Sequence, residues 1–173
     1  MKMYFLFGKA GAGKNYVGDF MQAHFNVTHF DADKLLTDEM KDFIANGKQF
    51  TQEMVNHYMS GVKEKIDFFY KNSADDSIIV ISQAAYRNIN RLDIMKTFPA
   101  IIFVMIDAKS DVCLARIKKR HHGVTATYAK AMEHYFELPD PKLNYKIIDN
   151  NEGTDELLFA SIQALLMTEG TDR

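Results

Sequence analysis

The segment Gly8-Lys9-Ala10-Gly11-Ala12-Gly13-Lys14-Asn15 constrains this chain more than any other. It fits the phosphate-binding pattern G-x-x-x-x-G-K-[ST] at every fixed position except the last, where Asn15 stands in place of a hydroxyl residue. The apolar run Met3-Tyr4-Phe5-Leu6-Phe7 precedes it, and a helix-compatible stretch from Lys14 to about His24 follows. A strand, a glycine-rich turn and a helix in that order aim backbone N–H groups and a helix start at phosphate oxygens. Such a chain folds as an α/β sheet with a nucleotide triphosphate beyond the carboxyl end of its first strand. Gly8, Gly11 and Gly13 permit close backbone approach, and Ala10, Ala12 and Tyr16 fall in the same nucleotide-binding stretch. Lys14 is expected to bridge the β- and γ-phosphates and to face solvent in the empty loop. Asn15 leaves two readings open. Its amide oxygen, or a water, holds Mg²⁺, or the chain binds nucleotide with weakened turnover.

Strands and helices alternate along the rest of the chain. Val27-Thr28-His29-Phe30 reads as a second strand ending at Asp31. Asp33 is a candidate cap for a helix running to about Gly47, and Thr51 for another running to about Tyr70. Ile78-Ile79-Val80-Ile81 and Ile101-Ile102-Phe103-Val104-Met105-Ile106 have the β-branched, uninterrupted character of central parallel strands. Helices are expected at about Ala85 to Lys96 and Asp111 to Arg120, then a last strand at Lys146-Ile147-Ile148 and a helix capped by Thr154. Five strands and their crossovers predict a three-layer α/β/α sandwich with a five-stranded parallel sheet, formed by residues 1–173 as one domain. The helices at about 34–70 are an insertion on the substrate side.

In such a sheet the ligand sits beyond the strand ends, so residues just after each strand are the natural candidates. Asp31 and Asp33, two apart at a strand-to-helix junction, allow one acid to face Mg²⁺ and the other to receive a hydroxyl proton. The plainer reading makes Asp33 an N-cap and Asp31 a solvated acid. Ser82 and Gln83 follow the third strand, so no acid stands there as in many motor and switch ATPases. Four arginines form two i, i+4 pairs, each on one helix face: Arg87 with Arg91, and Arg116 with Arg120. Arg116 and Arg120 are placed to stack on a base and clamp phosphates; Arg87 and Arg91 are placed to hold an anionic substrate. Solvated basic faces remain the alternative for both pairs. His121 and His122 lack a nearby third ligand and read as polar lid residues, not a metal site. Phe68-Phe69-Tyr70 reads as packing.

The formal net charge of -2 argues against a general nucleic-acid or membrane-surface partner. The single cysteine, Cys113, excludes an internal disulfide, and Met3 to Phe7 is too short to span a membrane or form a leader. The expectation is a cytoplasmic monomer or homodimer acting on a small molecule.

With these residues in place, the chain resembles the gluconokinase-like small-molecule kinases of the P-loop NTPase superfamily, relatives of shikimate and adenylate kinases. Phe30-Asp31-Ala32-Asp33-Lys34-Leu35 looks like the family's D-G-D-x-L segment, and Ile44 to Thr51 resembles its M-x-x-G-x-P-L-x-D stretch. Tyr86-Arg87-Asn88 looks like Y-R-D, and Phe103 to Pro139 is similar in order and length to the segment ending in the lid, about 120–138 here. The resemblance implies transfer of the ATP γ-phosphate to a hydroxyl of a small anionic acceptor, with Mg²⁺ and lid closure. On it Lys14 and Arg120 stabilise the phosphoryl group, Arg116 packs near adenine, and Asp31 or Asp33 handles metal and acceptor. Leu36-Thr37 and Thr51 to Tyr58 depart from the family pattern beside the acceptor, which leaves another polyol, a sugar acid or a nucleoside as the substrate.

Overall fold

The structure is a computed structural model that describes residues 1–120, 123–151 and 154–168; His121 and His122 lie outside the described residues. Five strands, β1 (Lys2–Phe7), β2 (Thr28–Asp31), β3 (Ile78–Ser82), β4 (Ile102–Asp107) and β5 (Lys146–Asp149), form one all-parallel sheet in the order β2-β3-β1-β4-β5. Among the described residues seven α-helices accompany them: α1 (Lys14–His24), α2 (Asp38–Ala45), α3 (Gln52–Asn72), α4 (Asn88–Thr97), α5 (Ser110–Lys119), α6 (Ala126–Glu133) and α7 (Asp155–Thr168). This is the expected three-layer α/β/α sandwich.

The central strands are apolar on both faces because successive side chains enter different cores. Met3, Phe5 and Phe7 of β1 join Ile79 and Ile81, Phe103 and Met105 in a core closed by α2, α3 and α4. Tyr4 and Leu6 join Val80, Val104 and Ile106 in a second core with α1 and α7. Each of these large buried side chains is worth about 1.5–3 kcal/mol. The two cores therefore fix the strand ends on which the loops are mounted.

Three boundaries differ from the sequence reading. The helix expected from Asp33 divides into a short 3-10 turn, Ala32–Leu35, and α2. Asp31 rather than Asp33 is the cap of the turn, its side chain accepting from Asp33 N, and Thr37 starts α2 by accepting from Met40 N. Side-chain oxygens of Asp and Thr compete with the helical ladder for these amides, so they divide it. The helix expected from Ala85 begins only at Asn88, because Ala85 has a φ of +41° and Arg87 is extended. Finally, α6 occupies a stretch expected only as lid, with Thr125 accepting from Tyr128 N at its start. Thr51 does cap α3, as expected.

Candidate functional site

The phosphate loop leaves β1 where the neighbouring strands β3 and β4 lead into separate crossovers, which opens a crevice at their carboxyl ends. The loop is pressed against the protein behind it. A Cβ on Gly11 would stand 2.4 Å from the Cys113 carbonyl oxygen, and one on Gly13, whose φ is +94°, would stand 2.3 Å from Asn150 Nδ2. Asn150, 3% exposed just past β5, donates from Nδ2 to the Ala12 carbonyl at 2.8 Å. Arg116 donates to the carbonyls of Asn150 at 2.8 Å and Ala12 at 3.4 Å. The guanidinium expected near a base thus braces the loop from behind, because α5 carries it past the β5 exit.

On the open side the loop has provisional partners. Lys14 Nζ donates to the carbonyls of Gly8 at 3.0 Å and Lys9 at 2.9 Å. It is half-buried rather than solvent-facing, because these carbonyls draw its ammonium back against the loop. Burial pulls its ammonium down to about 8, against the opposing pull of Asp33. Ala10 N–H donates at 3.0 Å to the Tyr86 hydroxyl, whose pKa burial pushes up to about 12. Lys9 Nζ reaches Ser110 Oγ at 3.0 Å and Glu133 Oε1 at 3.2 Å, and Ser110 also donates to Glu133, which ties the loop to the end of α6. Tyr16 is exposed and donates its hydroxyl to Asp155 at the start of α7.

Asn15 and the two acids meet beside Lys14. Asn15 Nδ2 donates to Asp31 Oδ2 at 2.5 Å, while Ser82 Oγ donates to Asn15 Oδ1 at 2.7 Å. Asp33 opens into the cavity, yet desolvation and then the like charge of Asp31 push its carboxyl above the usual carboxylate range, with Lys14 acting the other way. Two carboxylates beside a triphosphate suit a hard cation that keeps several waters. Either acid fits Mg²⁺; Asn15, which turns an NH₂ group to Asp31, does not.

A cavity of about 890 Å³ extends from the loop to α2, α3 and α4. Lys14, Asn15, Asp33, Arg120 and Arg87 all line it. Its far wall is apolar through Leu36, Ile44, Phe50, Val55 and Met59, with Gln49, Gln52, Asn56 and Asn90 among them. Gln83, also on the cavity wall, buries its Oε1 without a hydrogen-bond partner among the described residues. Gln49 Nε2 donates to the Tyr135 hydroxyl at 2.7 Å, joining the α2–α3 connection to the segment after α6.

The arginine pair on α4 is split. Arg87 is exposed, 3.9 Å from Glu137, and lines the cavity. Arg91, expected to hold an anionic substrate, is 0% exposed and is not on the cavity wall. Its guanidinium donates to the carbonyls of Ala85, Tyr86 and Glu137 and to Asn88 Oδ1, and lies 5.0 Å from the centre of the Phe7 ring and 5.6 Å from that of Phe136. One turn of helix carries it from the rim into the core, where it clamps the segment around Glu137 to the start of α4. That correction removes one of the two cations expected at the acceptor side.

Sequence reasoning missed Tyr86, Asn150 and the Lys9–Glu133 tie as parts of the site. The strand-end rule, applied to β5, points to Asn150; Tyr86 enters the sequence reading only as the first residue of Tyr86-Arg87-Asn88, and nothing local announces the Lys9–Glu133 tie.

No protein-family model and no curated protein sequence matches the chain. Solved structures do. A sugar kinase from Janibacter sp. HTCC2649, unliganded, superimposes with a TM-score of 0.81 at 17% identity, over 96% of this chain and 94% of that one. A gluconokinase from Sinorhizobium meliloti 1021 gives 0.71 at 17% identity, over 96% and 97%. A shikimate kinase from Bacteroides thetaiotaomicron gives 0.66 at 14% identity, over 98% of each chain. The fold is that of the P-loop small-molecule kinases.

Proposed function

We propose that this protein is an ATP-dependent kinase that transfers the γ-phosphoryl group to a hydroxyl of a small polar acceptor. One observation carries the reading: Lys14 and Asp33 line the same cavity, whose two ends are a phosphate loop and a wall of amides and apolar side chains. Asp33, its pKa raised, is the group to receive the acceptor's hydroxyl proton, since a base nearer neutral pH drives that transfer better than an ordinary carboxylate. Lys14 leaves its two carbonyls for the transferring phosphoryl oxygens, and Arg120 approaches from the end of α5. Mg²⁺, where bound, would be held by Asp31, leaving Asp33 as the base, and would neutralise phosphate charge. The segment about 120–138 acts as the lid and α2 with α3 as the acceptor-binding insertion, meeting at Gln49 and Tyr135.

Arg87 and Lys96, with Lys63 paired to Asp93, are the cations of the acceptor wall among the described residues, so an acidic group on the acceptor is met at the rim. Gln83 Oε1 waits deeper for an N–H or O–H donor. Sugar acids and related polyols match both. ADP release measured with Mg²⁺-ATP against sugar acids, neutral polyols, shikimate and nucleosides tests the reading. Acceptor-dependent release is expected; nucleotide binding without release for any acceptor makes the protein a nucleotide-binding regulator instead.

A further inference from the structure

Both ends of the Asn15 amide are committed, and the commitments run further than the site. Asp31 accepts only, so its contact with Asn15 fixes which end of the amide faces it. The other end, Oδ1, must then receive the single proton of the Ser82 hydroxyl. Ser82 Oγ is left to accept, and His29 Nε2 stands 2.9 Å away as its donor. The second ring nitrogen, Nδ1, is 2.8 Å from Asp19 Oδ1 on the exposed face of α1, and since a carboxylate only accepts, the ring serves both contacts as the imidazolium, donating from both nitrogens. Asp31, Asn15, Ser82, His29 and Asp19 thus form one continuous chain across β2, the phosphate loop, β3 and α1.

Two further features show that this chain is built in. Ser82 is 0% exposed and the His29 side chain 4% exposed, so water does not stand in for either contact. Space for the imidazole comes from Gly18, where a Cβ would stand 2.3 Å from His29 Nε2. Any larger residue at position 18 displaces the ring.

We propose that Ser82 and His29 are positioning residues of the nucleotide site: they lock the Asn15 amide with its NH₂ group on Asp31 and its carbonyl oxygen withheld from a cation. The hydroxyl absent at position 15 has a counterpart in Ser82 of β3, 2.7 Å from Asn15 Oδ1, which orients the amide instead of ligating metal. Asp31 is held from two sides, by Asn15 at Oδ2 and by Asp33 N–H at Oδ1. Groups that orient a ligand from behind typically govern metal affinity by 10–100-fold.

This inference rests on the cavity being a Mg²⁺-nucleotide site, and the experiment separates the two claims. Binding of a non-hydrolysable ATP analogue is measured by calorimetry with EDTA, and Mn²⁺ binding to the analogue complex by the loss of its free electron-paramagnetic-resonance signal. Ser82→Ala and His29→Ala are expected to weaken Mn²⁺ binding about tenfold while metal-free analogue binding stays within twofold, because Lys14 and the loop amides are untouched. His29→Gln, which can still donate to Ser82, is expected to recover most of the loss. In an Asn15→Ser background, where no amide needs orienting, Ser82→Ala is expected to change Mn²⁺ binding less than twofold. Equal effects in the two backgrounds, parallel loss of metal-free binding, or unchanged Mn²⁺ binding in Ser82→Ala each overturn the proposal. No analogue binding by the native protein sinks the kinase reading together with it.

Discussion

Lys14, Ala10 and Asn15, on what the proposed reading makes the donor wall of the cavity, have hydrogen-bond partners within the protein, whereas Gln83, toward the proposed acceptor, buries an oxygen that has none among the described residues. The difference follows from what each wall must recognise. A triphosphate brings the same oxygens every time, so the Gly8 and Lys9 carbonyls and the Tyr86 hydroxyl can serve as placeholders to be exchanged bond for bond. A particular acceptor is distinguished by groups left unpaired until it binds, since a molecule lacking the matching donor leaves that cost standing.

Breaking the donor side has the largest expected effect. Lys14→Ala should lower phosphoryl transfer about a thousandfold, as loss of one charge-stabilising donor does elsewhere, with the melting temperature shifted by no more than a few degrees. Near-native turnover would remove Lys14 from the chemistry. Next comes Arg91→Met, which strands the buried carbonyls of Ala85 and Glu137 and should cost about 3 kcal/mol in urea unfolding. Its partner in spacing, Arg87, should behave oppositely: Arg87→Ala is expected to leave stability within about 0.5 kcal/mol and raise the KM of an acidic acceptor about tenfold at constant kcat.

The acceptor side is sharpened by Gln83→Leu. Removing an unsatisfied buried oxygen should leave unfolding free energy within about 1 kcal/mol of the native value, while kcat/KM for the acceptor falls about tenfold. Unchanged kcat/KM would mean that Gln83 does not read the acceptor.

The smallest effect is a proton. Burial lowers the Lys14 pKa from its ordinary 10.5 to about 8, so between those values the unfolded chain binds more protons and the protein gains stability as pH rises. A bound triphosphate restores the charge, so nucleotide binding between about pH 8 and 9 should take up protons. Calorimetric enthalpies in buffers of different ionisation heat measure this; buffer-independent values would contradict it.

The fold was legible because uninterrupted β-branched runs and a glycine-rich turn report sheet burial locally. Ile78 to Ile81 and Ile101 to Ile106 could hardly be anything but central strands. The Lys14, Asp31 and Asp33 grouping was legible from strand ends alone. The arginines were not, since i, i+4 spacing places two residues on one helix face without saying where the rim of the core falls. Arg91 lies inside that rim and Arg87 outside it. The partners of Asn15 were hidden for another reason: Ser82 and His29 lie on strands 67 and 14 positions away, and hydrogen bonds between polar residues leave no periodic trace. The strand-end rule did bring Ser82 into view, as the residue where an acid was missing.

The place of β1 in the sheet has a consequence for how the protein is made. Its hydrogen-bonding neighbours are residues 78–82 on one side and 102–105 on the other. At about 5–20 residues per second, a ribosome delivers the second neighbour many seconds after the strand that bears the phosphate loop. Contacts so distant along the chain also form slowly once both are present. On the proposed reading, nucleotide capture becomes available only after both flanking strands have emerged and docked, and its onset during synthesis times the completion of the sheet's centre.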